Sequence, residues 1–578
     1  MSESAQSQAS GAGADAAQGL LTPDGWQALS ETPDSYGAYP RLSDAQITAL
    51  AACGARRRAE PGETLFRDGD PSCDFFVVLA GKAAVVEGYG SPGQRLISVH
   101  GAGRFLGELN LLTGQAAFYS AVMAQAGEIL AVPEDCVRDL VASDPTLGDL
   151  ILRACLLRRS ILIGLGIGIR IIGSRYSPDV GRLRDFAARN RLPHRWEDLE
   201  ADPAAESLLR QLGVPPEDTP IVILYGKQLL RNPSNATLAA AIGLPAAVPA
   251  AAVSDLIVIG AGPAGLSVAV YGASEGLSTV ALDATATGGQ AGTSSRIENY
   301  LGFPAGISGA ELADRAVIQA RKFGASLGVP ARATSLRQNG GHYAVGLDTG
   351  EPLPGRVIVI ATGARYRRLQ VPRIEHFEGT SVYYAASQAE AQLCRGDPVA
   401  IVGGGNSAGQ AAVFLARNAE RVTLLVRDAD LGKSMSRYLV DQIVRTEQIE
   451  VLCHTEVREL LGEDTLRGLV AEDNQSGARR QLDARALFVF IGAVPATGWL
   501  SSQVMLDDHG FVLTGLAVTS PAGTWPADPG SRRSALETSL PGVFAAGDVR
   551  SGSVKRVASA VGEGAMAVHL VFERMQSG

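Results

Sequence analysis

The sequence predicts a multidomain α/β protein: an all-β jelly roll or barrel, a small α/β domain, and a long α/β region with two strand–glycine-loop–helix units. Three observations predict it. From about Leu42 onward, short β-type runs are separated by Gly and Asp, the pattern of a barrel or jelly roll. Residues 167–230 then alternate in the order β-α-β-α-β. Residues 253–578 carry two glycine fingerprints, each set between an apolar strand and a helix.

Length and composition agree with this division. The 578 residues imply three to five domains at roughly 100–200 residues each. Apolar residues make up 46% and charged residues 19%, an ordinary globular balance. The net charge of -9 comes without a basic domain or stripe, which argues against nucleic acid as a partner. Six cysteines, none in a C-x-x-C pair, exclude a secreted disulfide scaffold and a zinc finger, and no metal site is read. Residues 1–17 are rich in Ser, Ala and Gly and lack the basic and apolar regions of a signal peptide. The apolar stretch 161–173 is interrupted by Arg170 and is too short to span a bilayer. These features predict a soluble, cytoplasmic protein with no membrane span.

In chain order, residues 1–36 read as a disordered tail, with too little apolar surface to offset ordering entropy. Residues 37–165 form the barrel, with strands at 64–66, 74–81 and 83–87 and a departing helix at 147–162. Residues 166–238 form the small domain, with strands at 169–172 and 221–224 and helical patterns at 181–190 and 204–211. The Ala/Pro-rich stretch 239–252 reads as a linker.

The first fingerprint follows Leu256, Ile257, Val258 and Ile259: Gly260, Ala261, Gly262, Pro263, Ala264 and Gly265, opening a helix that runs to about Ser274. Glycines there let the backbone reach a pyrophosphate at the helix N-terminus, where free N–H groups and the helix dipole favour negative charge. The next strand, 278–282, ends in Asp283, the expected place for a carboxylate that grips a ribose hydroxyl. The second fingerprint follows residues 399–402: Gly403, Gly404, Gly405, Asn406, Ser407 and Ala408, with a helix to about Arg417. Its second strand, 422–426, ends in Arg427. A carboxylate there would repel a ribose phosphate, whereas Arg pairs with one, so NADPH is favoured over NADH. The alternative is that Arg427 is a solvated strand-end charge; Arg437 either shares the phosphate or is idle.

Further motifs surround the fingerprints. They are Gly288-Gly289-Gln290, the stretch from Ile297 through Asn299 to Pro304, Ala361-Thr362-Gly363, Ile491-Gly492 with Pro495, Gly542 to Gly547-Asp548, and Lys555-Arg556-Val557-Ala558. Through them residues 253–578 resemble low-molecular-weight thioredoxin reductases and related flavoproteins. The resemblance implies two Rossmann-type domains: an FAD domain in two segments (253–366 and 487–578) and an NADPH domain inserted at 367–486. It implies that FAD is held by Gly260, Gly262, Pro263, Ala264, Gly265, Asp283, Gly289, Gln290, Asn299, Ala361, Thr362, Gly363, Gly547, Asp548, Arg556, Val557 and Ala558. It also implies NADPH on Gly403, Gly405, Asn406, Ser407, Ala408 and Arg427, and a homodimer.

One departure matters. The family's redox-active C-x-x-C would precede the second fingerprint, but the aligned stretch reads Tyr383-Tyr384-Ala385-Ala386-Ser387-Gln388-Ala389-Glu390. Cys394 and Cys453 each stand alone in sequence, and an isolated cysteine is more often a small buried hydrophobe than a nucleophile. A disulfide relay of the family type cannot operate, so reduced FAD must pass electrons to an external acceptor: a one-electron carrier, a quinone, oxygen or a partner's disulfide. Thioredoxin-reductase-like ferredoxin–NADP reductases share this departure. Glu563 either tunes the flavin or, as the preferred reading, is a surface helix charge. A flavin- or ligand-binding redox sensor with little turnover is the alternative function, and a true thioredoxin reductase would require a partner to bring both cysteines.

Residues 167–245 resemble a glutaredoxin/thioredoxin-like fold through the strand at 169–172, Trp196 to Leu199, and Thr219-Pro220, which the family would hold as a cis-proline. Where that family keeps its reactive cysteines this chain has Ser174-Arg175-Tyr176-Ser177-Pro178, which implies a redox-dead packing or docking domain. Residues 40–160 resemble a cyclic-nucleotide-binding domain through Gly62, Gly69, Gly81 and the stretch from Phe105 to Gly114. The ligand candidates are Gly107, Glu108, Tyr119 and Ser120. Tyr119 stands where the family's phosphate-binding Arg would be, so affinity for cAMP or cGMP is expected to be poor. Either a nucleotide-like ligand binds here, or the domain keeps the fold for dimerisation or partner sensing. Arg56, Arg57 and Arg58 either offer a substitute charge or are simply solvated.

Overall fold

The structure, a computed structural model, describes residues 29–577 apart from 92, 110–114, 245–251, 295, 298, 349, 379, 385, 387, 501–502 and 519–533. It divides into two units: Met1–Ser174 with Arg191–Pro245, and Arg175–Asn190 with Ala246–Gly578. Expectations for residues 1–28 and 245–251 lie outside the described residues.

The first unit opens with a β-rich barrel. Its strands are β1 (Ala55–Ala59), β2 (Thr64–Phe66), β3 (Phe75–Glu87), β4 (Arg95–His100), β5 (Phe105–Leu106) and β6 (Ser120–Val132). They pair in the order β1-β6-β3-β4, with β2 on β6 and β5 on β3. Phe75, Phe105, Leu106, Met123, Ile129 and Leu130 are fully buried in it. Two expectations are corrected. The separate strands predicted at 74–81 and 83–87 are one strand, because Gly81 (φ +83°) bulges the ladder without ending it. A Cβ there would lie 2.6 Å from the Ala126 carbonyl oxygen, so only glycine allows the partner strand so close. The described end of the predicted tail, residues 29–36, is docked on the barrel: the Thr32 amide donates to the Val99 carbonyl (3.1 Å) and the Lys82 ammonium donates to the Leu29 carbonyl (2.7 Å).

The helix Pro145–Gly164 leaves the barrel. It starts at Asp144, whose carboxylate accepts from the Thr146 and Leu147 amides, with Pro145 at the first helical position. Its buried face is Leu147, Ile151, Ala154, Cys155, Arg158 and Leu162. A disulfide, unanticipated by the sequence reading, joins Cys53 to Cys136 across 83 residues.

Next come β7 (Ile169–Gly173), the helix Pro178–Arg189, β8 (His194–Asp198), the helix Pro203–Gln211, β9 (Ile221–Leu224), β10 (Gln228–Arg231) and the helix Asn235–Ala241. The sheet order is β10-β9-β7-β8, with β7 parallel to β8 and the other pairs antiparallel. The Thr219–Pro220 bond is cis, as the thioredoxin-like resemblance implies. The linker expected from residue 239 begins later, because Ala239–Ala241 complete the last turn of a helix.

In the second unit one sheet is built from β11 (Ser254–Ile259), β12 (Thr279–Leu282), β13 (Ser326–Gly328), β14 (Ala333–Asn339), β15 (His342–Leu347), β16 (Leu353–Ile360) and, from far along the chain, β27 (Val543–Ala545). The order is β13-β12-β11-β16-β15-β14, with β27 parallel to β16. β11 is parallel to both β12 and β16, and its residues Leu256–Ile259 are buried on both faces, the reason that run is continuously apolar. Between β16 and β27 lies a second parallel sheet of β18 (Val382–Tyr383), β19 (Pro398–Val402), β20 (Arg421–Leu425), β21 (Ile449–Leu452) and β25 (Ala486–Val489), in the order β18-β25-β19-β20-β21. An antiparallel sheet of β22 (Thr455–Gly462), β23 (Leu466–Asp473) and β24 (Arg479–Asp483) adjoins it in sequence. Because β25 completes the inserted sheet, the boundary drawn at 487 falls inside a strand. The two crossings pair as β17 (Ala364–Tyr366) with β26 (Ala493–Pro495). Among the described residues no helix is long and apolar enough to cross a membrane.

Candidate cofactor sites

The helix Pro263–Ser274 begins at Gly262 with Pro263 at its first position and no side-chain cap, which leaves the terminal N–H groups open to an anion. Gly260 turns the chain at φ +108°, and a Cβ there would lie 2.2 Å from the Ala361 carbonyl oxygen. At Gly265 a Cβ would lie 1.8 Å from the Gly260 carbonyl oxygen, so the helix can press on the strand end only without one. Ala264 is buried in the core behind it. The Asp283 carboxylate accepts from the Ala261 amide at 3.0 Å, and from the Thr285 and Ala286 amides at 3.0 and 3.2 Å. It therefore ties the glycine loop to the end of β12, beside its expected ribose.

The flavin-type motifs gather around this loop. The Gly288 amide donates to the Ala261 carbonyl (2.7 Å), Gly289 lies against Gly262, and the Gln290 side chain donates to the Ala364 carbonyl. The Ala361 amide donates to the Ile259 carbonyl (2.7 Å). The Thr362 hydroxyl donates to the Ala496 carbonyl, and the Ala496 amide to the Gly363 carbonyl, both at 3.0 Å, so outgoing and returning chains lie side by side. Gly547 turns at φ +76° with room for a Cβ only 2.8 Å from that of Ala264. Burial raises the neighbouring Asp548 carboxyl above its usual range. Arg556 and Ala558 are exposed, and Val557 opens the helix Val557–Ser577. Asn299 is exposed, and Glu298 lies outside the described residues.

Glu563 corrects the sequence reading. It is no surface charge: its carboxylate accepts from the Gly547 amide (2.7 Å) and clasps the Arg550 guanidinium at 2.5 and 3.1 Å. It thereby anchors the Gly547–Asp548 turn. A cradle so dependent on missing Cβ atoms, ringed by open helix amides, fits the pyrophosphate of FAD.

At the second fingerprint Gly403 has φ +146°, and a Cβ would lie 2.4 Å from the Phe490 carbonyl oxygen and 3.1 Å from the Ala408 methyl. The helix Asn406–Leu415 starts uncapped at Gly405, again leaving amides for a pyrophosphate. Ser407 follows in its first turn, and Ala408 is buried. The Asn406 side-chain oxygen accepts from the Ser436 amide (2.7 Å), which brings the next helix, with Arg437 at its start, to the loop. Arg437 is 94% exposed at its side chain. Arg427 is exposed just past β20, and its carbonyl accepts from the Asn474 amide group (2.9 Å). The adjacent Asp428 pairs with Lys433 at 2.8 Å, which holds its carboxyl below the usual range. An exposed guanidinium beside a carboxylate already paired with Lys433 fits a ribose phosphate. Arg427→Ala is expected to raise the KM for NADPH about tenfold or more with little change for NADH, as steady-state kinetics with both nucleotides will show. An equal effect on both would remove this assignment.

Where the family keeps its C-x-x-C, Tyr383 donates to the Thr380 carbonyl (2.6 Å) and Tyr384 to the Glu378 carboxylate (2.5 Å); Ala385 and Ser387 lie outside the described residues. Tyr384 also stacks near-parallel on Tyr366, which meets Phe490 edge-on, an aromatic cluster the sequence reading missed. Cys394 is 4% exposed, and burial pushes its thiol up to about 12. Burial also raises the Cys453 thiol.

In the barrel, Gly107 has φ +92°, and a Cβ would lie 2.5 Å from the Asp74 carbonyl oxygen. Glu108 is entirely buried and faces Arg158 from the helix Pro145–Gly164 at 2.7 Å. The angles are not those of a hydrogen bond, and among the described residues neither Glu108 oxygen has a hydrogen-bond partner. Arg158 donates to the Ala38 and Phe105 carbonyls at 2.7 and 3.0 Å and lies over the Phe105 ring. Tyr119 is buried, its phenol pushed well up by burial and the nearby Glu108 charge. The Ser120 hydroxyl donates to Asp68 (3.2 Å). Sequence reasoning missed Arg158; its signal was a charged residue on the otherwise apolar stripe of a helix. Arg56, Arg57 and Arg58 lie exposed on β1, with Arg57 paired to Glu63. In the small domain, the Ser174 hydroxyl donates to Glu200 (2.7 Å).

Comparison with known proteins agrees with this geometry. Residues 254–564 match the family described as pyridine nucleotide-disulphide oxidoreductase, and residues 56–144 match the cyclic nucleotide-binding domain. A thioredoxin reductase of Streptomyces clavuligerus is 32% identical over 316 residues, covering 54% of this chain and 92% of that protein. A 34.2 kDa protein in the rubredoxin operon of Clostridium pasteurianum is 30% identical over 314 residues, covering 54% of this chain and 94% of that one. The crystal structure of T. acidophilum thioredoxin reductase is similar with a TM-score of 0.50 at 28% identity, over 55% of this chain and 98% of that one. The chain belongs to the pyridine nucleotide-disulphide oxidoreductase family, as a thioredoxin-reductase-like oxidoreductase of the FAD- and NADPH-using kind fused to a cyclic nucleotide-binding domain.

Proposed function

We propose that the chain oxidises NADPH at FAD and passes the electrons to an acceptor outside its two cofactor domains, without a C-x-x-C relay. One observation carries this reading: residues 383–390 contain no cysteine, and the nearby Cys394 thiol, pushed up to about 12 by burial, is a poor thiolate at neutral pH. When bound, the flavin supplies the two-electron exchange with the nicotinamide and the release to the acceptor. The chain's own residues bind and orient. Gly260, Gly262 and Gly265 admit the FAD pyrophosphate to the amides of the helix Pro263–Ser274, and Asp283 fixes the loop they form. Glu563 holds the Gly547–Asp548 turn in place. Gly403, Gly405 and Ala408 seat the second pyrophosphate, and Arg427 selects the ribose phosphate.

The N-terminal domains are read as regulatory or docking modules. Ser174 cannot form a disulfide where a thioredoxin would. In the barrel, Tyr119 brings no charge to a phosphate, and Arg158 is already engaged by Glu108, Ala38 and Phe105, which supports retention of the fold over tight cyclic nucleotide binding. Anaerobic titration with NADPH, followed by flavin absorbance, tests the electron path. Complete bleaching by one equivalent per FAD, with repeated turnover on an artificial acceptor such as ferricyanide, is the expected result. A requirement for two equivalents would reveal a second redox centre in the path and overturn the reading.

A further inference from the structure

The Cys53–Cys136 disulfide belongs to the barrel and takes no part in either cofactor site. Its surroundings are asymmetric. Cys53 is exposed and lies just beyond the C-terminal end of the helix Asp44–Ala51, where its amide donates to the Leu50 carbonyl (3.4 Å). Cys136 is half-buried and is the third residue of the helix Glu134–Ser143. The two helix ends act oppositely on a thiolate: the N-terminal amides around Cys136 stabilise negative charge, whereas the C-terminal carbonyls near Cys53 oppose it. Two carboxylates share that first turn, Glu134 and Asp135, but both pair with Arg138, Asp135 at 2.9 Å, which offsets their charge. By contrast Cys155 and Cys394 are almost wholly buried.

We propose that Cys53–Cys136 is a thiol-exchange site for an external dithiol, with a fixed direction of attack. A thiolate of the dithiol bonds to the sulfur of Cys53, the more exposed residue of the pair; the Cys53–Cys136 bond breaks and Cys136 leaves as the thiolate at its helix N-terminus. The second thiol of the partner then displaces Cys53. The dithiol is oxidised to its own disulfide, and its two electrons and two protons end on Cys53 and Cys136. Attack on the accessible sulfur with departure of the better leaving group is the faster of the two directions. The electrons come from the external dithiol, so the exchange is independent of the flavin path. Opening the bond frees the helix Glu134–Ser143 from the helix Asp44–Ala51. The freed helix packs tightly on the helix that carries Arg158: a Cβ at Gly148 would lie 2.7 Å from the Val141 carbonyl oxygen.

Glutathione serves as the probe on the full-length, FAD-loaded protein. Free thiols are first blocked with N-ethylmaleimide and the excess is removed; glutathione is added, the reaction is stopped with excess iodoacetamide at about pH 8, and the adducts are mapped by mass spectrometry. The expected product carries glutathione on Cys53 and the acetamide on Cys136, in about fivefold excess over the reverse arrangement. If reclosure outpaces trapping, the pH dependence of iodoacetamide alkylation in the Cys136→Ser and Cys53→Ser variants gives the second measure, with Cys136 expected to react at lower pH than Cys53 because its thiolate is the better leaving group. A predominance of the reverse arrangement, alkylation of Cys136 only at higher pH than Cys53, or maleimide on both cysteines at the first step would overturn the proposal.

Discussion

Arg158→Met is expected to destabilise the barrel by about 3–5 kcal/mol, the cost typical of removing one partner of a buried ion pair. Glu108 has no exposed side-chain surface and, among the described residues, no hydrogen-bond partner, so its charge rests on the ion pair with the guanidinium. The same substitution strands the Ala38 and Phe105 carbonyls, which Arg158 satisfies at 2.7 and 3.0 Å, and replaces a cation over the Phe105 ring with a thioether. Adding Glu108→Gln should recover part of the loss, because a neutral amide no longer needs a counter-charge. Calorimetry of the full chain would follow the barrel transition, and a single-variant loss below about 1 kcal/mol, the range of exposed pairs, would show that the pair is solvated.

Gly260→Ala is expected to yield a protein that retains almost no FAD. Two costs coincide: the residue sits at φ +108°, where an L side chain is strained, and its new methyl would lie 2.2 Å from the Ala361 carbonyl oxygen. Neither atom is a flexible side-chain tip, so the strand end or the crossing at Thr362 must move. Gly262→Ala is the informative control. Gly262 has an ordinary φ of -75°, and its nearest neighbour would be 3.7 Å away, so this variant should fold and lose FAD affinity only through the crowded pyrophosphate. Visible absorbance of bound flavin per chain, with circular dichroism for folding, separates the two. Full flavin occupancy in Gly260→Ala would mean that the first fingerprint is not the FAD seat.

The parts of this molecule that were legible in the sequence are those whose physics is local. A fingerprint packs its turn, its close approach and its helix start into six residues, so Gly260 to Gly265 and Gly403 to Ala408 could be placed with their strands. Contacts between distant residues were not legible. Arg158 meets Glu108 from another element, and Cys53 meets Cys136 across 83 residues; neither leaves a spacing pattern. Glu563 was misread because charge on a helix is usually solvated, although Gly564 beside it, where a Cβ would lie 2.4 Å from the Ala264 carbonyl oxygen, marked a helix face kept small for close packing. Gly81 was misread as punctuation, since a bulge and a strand end look alike until the partner strand is known.

The sheet that seats the first fingerprint is closed by β27, whose partner β16 ends at Ile360. On a ribosome adding roughly 5–20 residues per second, about 10–40 s separate the synthesis of those two strands. The inserted domain, with all its strands already made, can fold in that interval, while the flavin seat waits as an open-edged sheet. Cofactor capture is therefore a late event in the life of the nascent chain, and a truncation near the C-terminus would cost the flavin while leaving the nicotinamide seat intact.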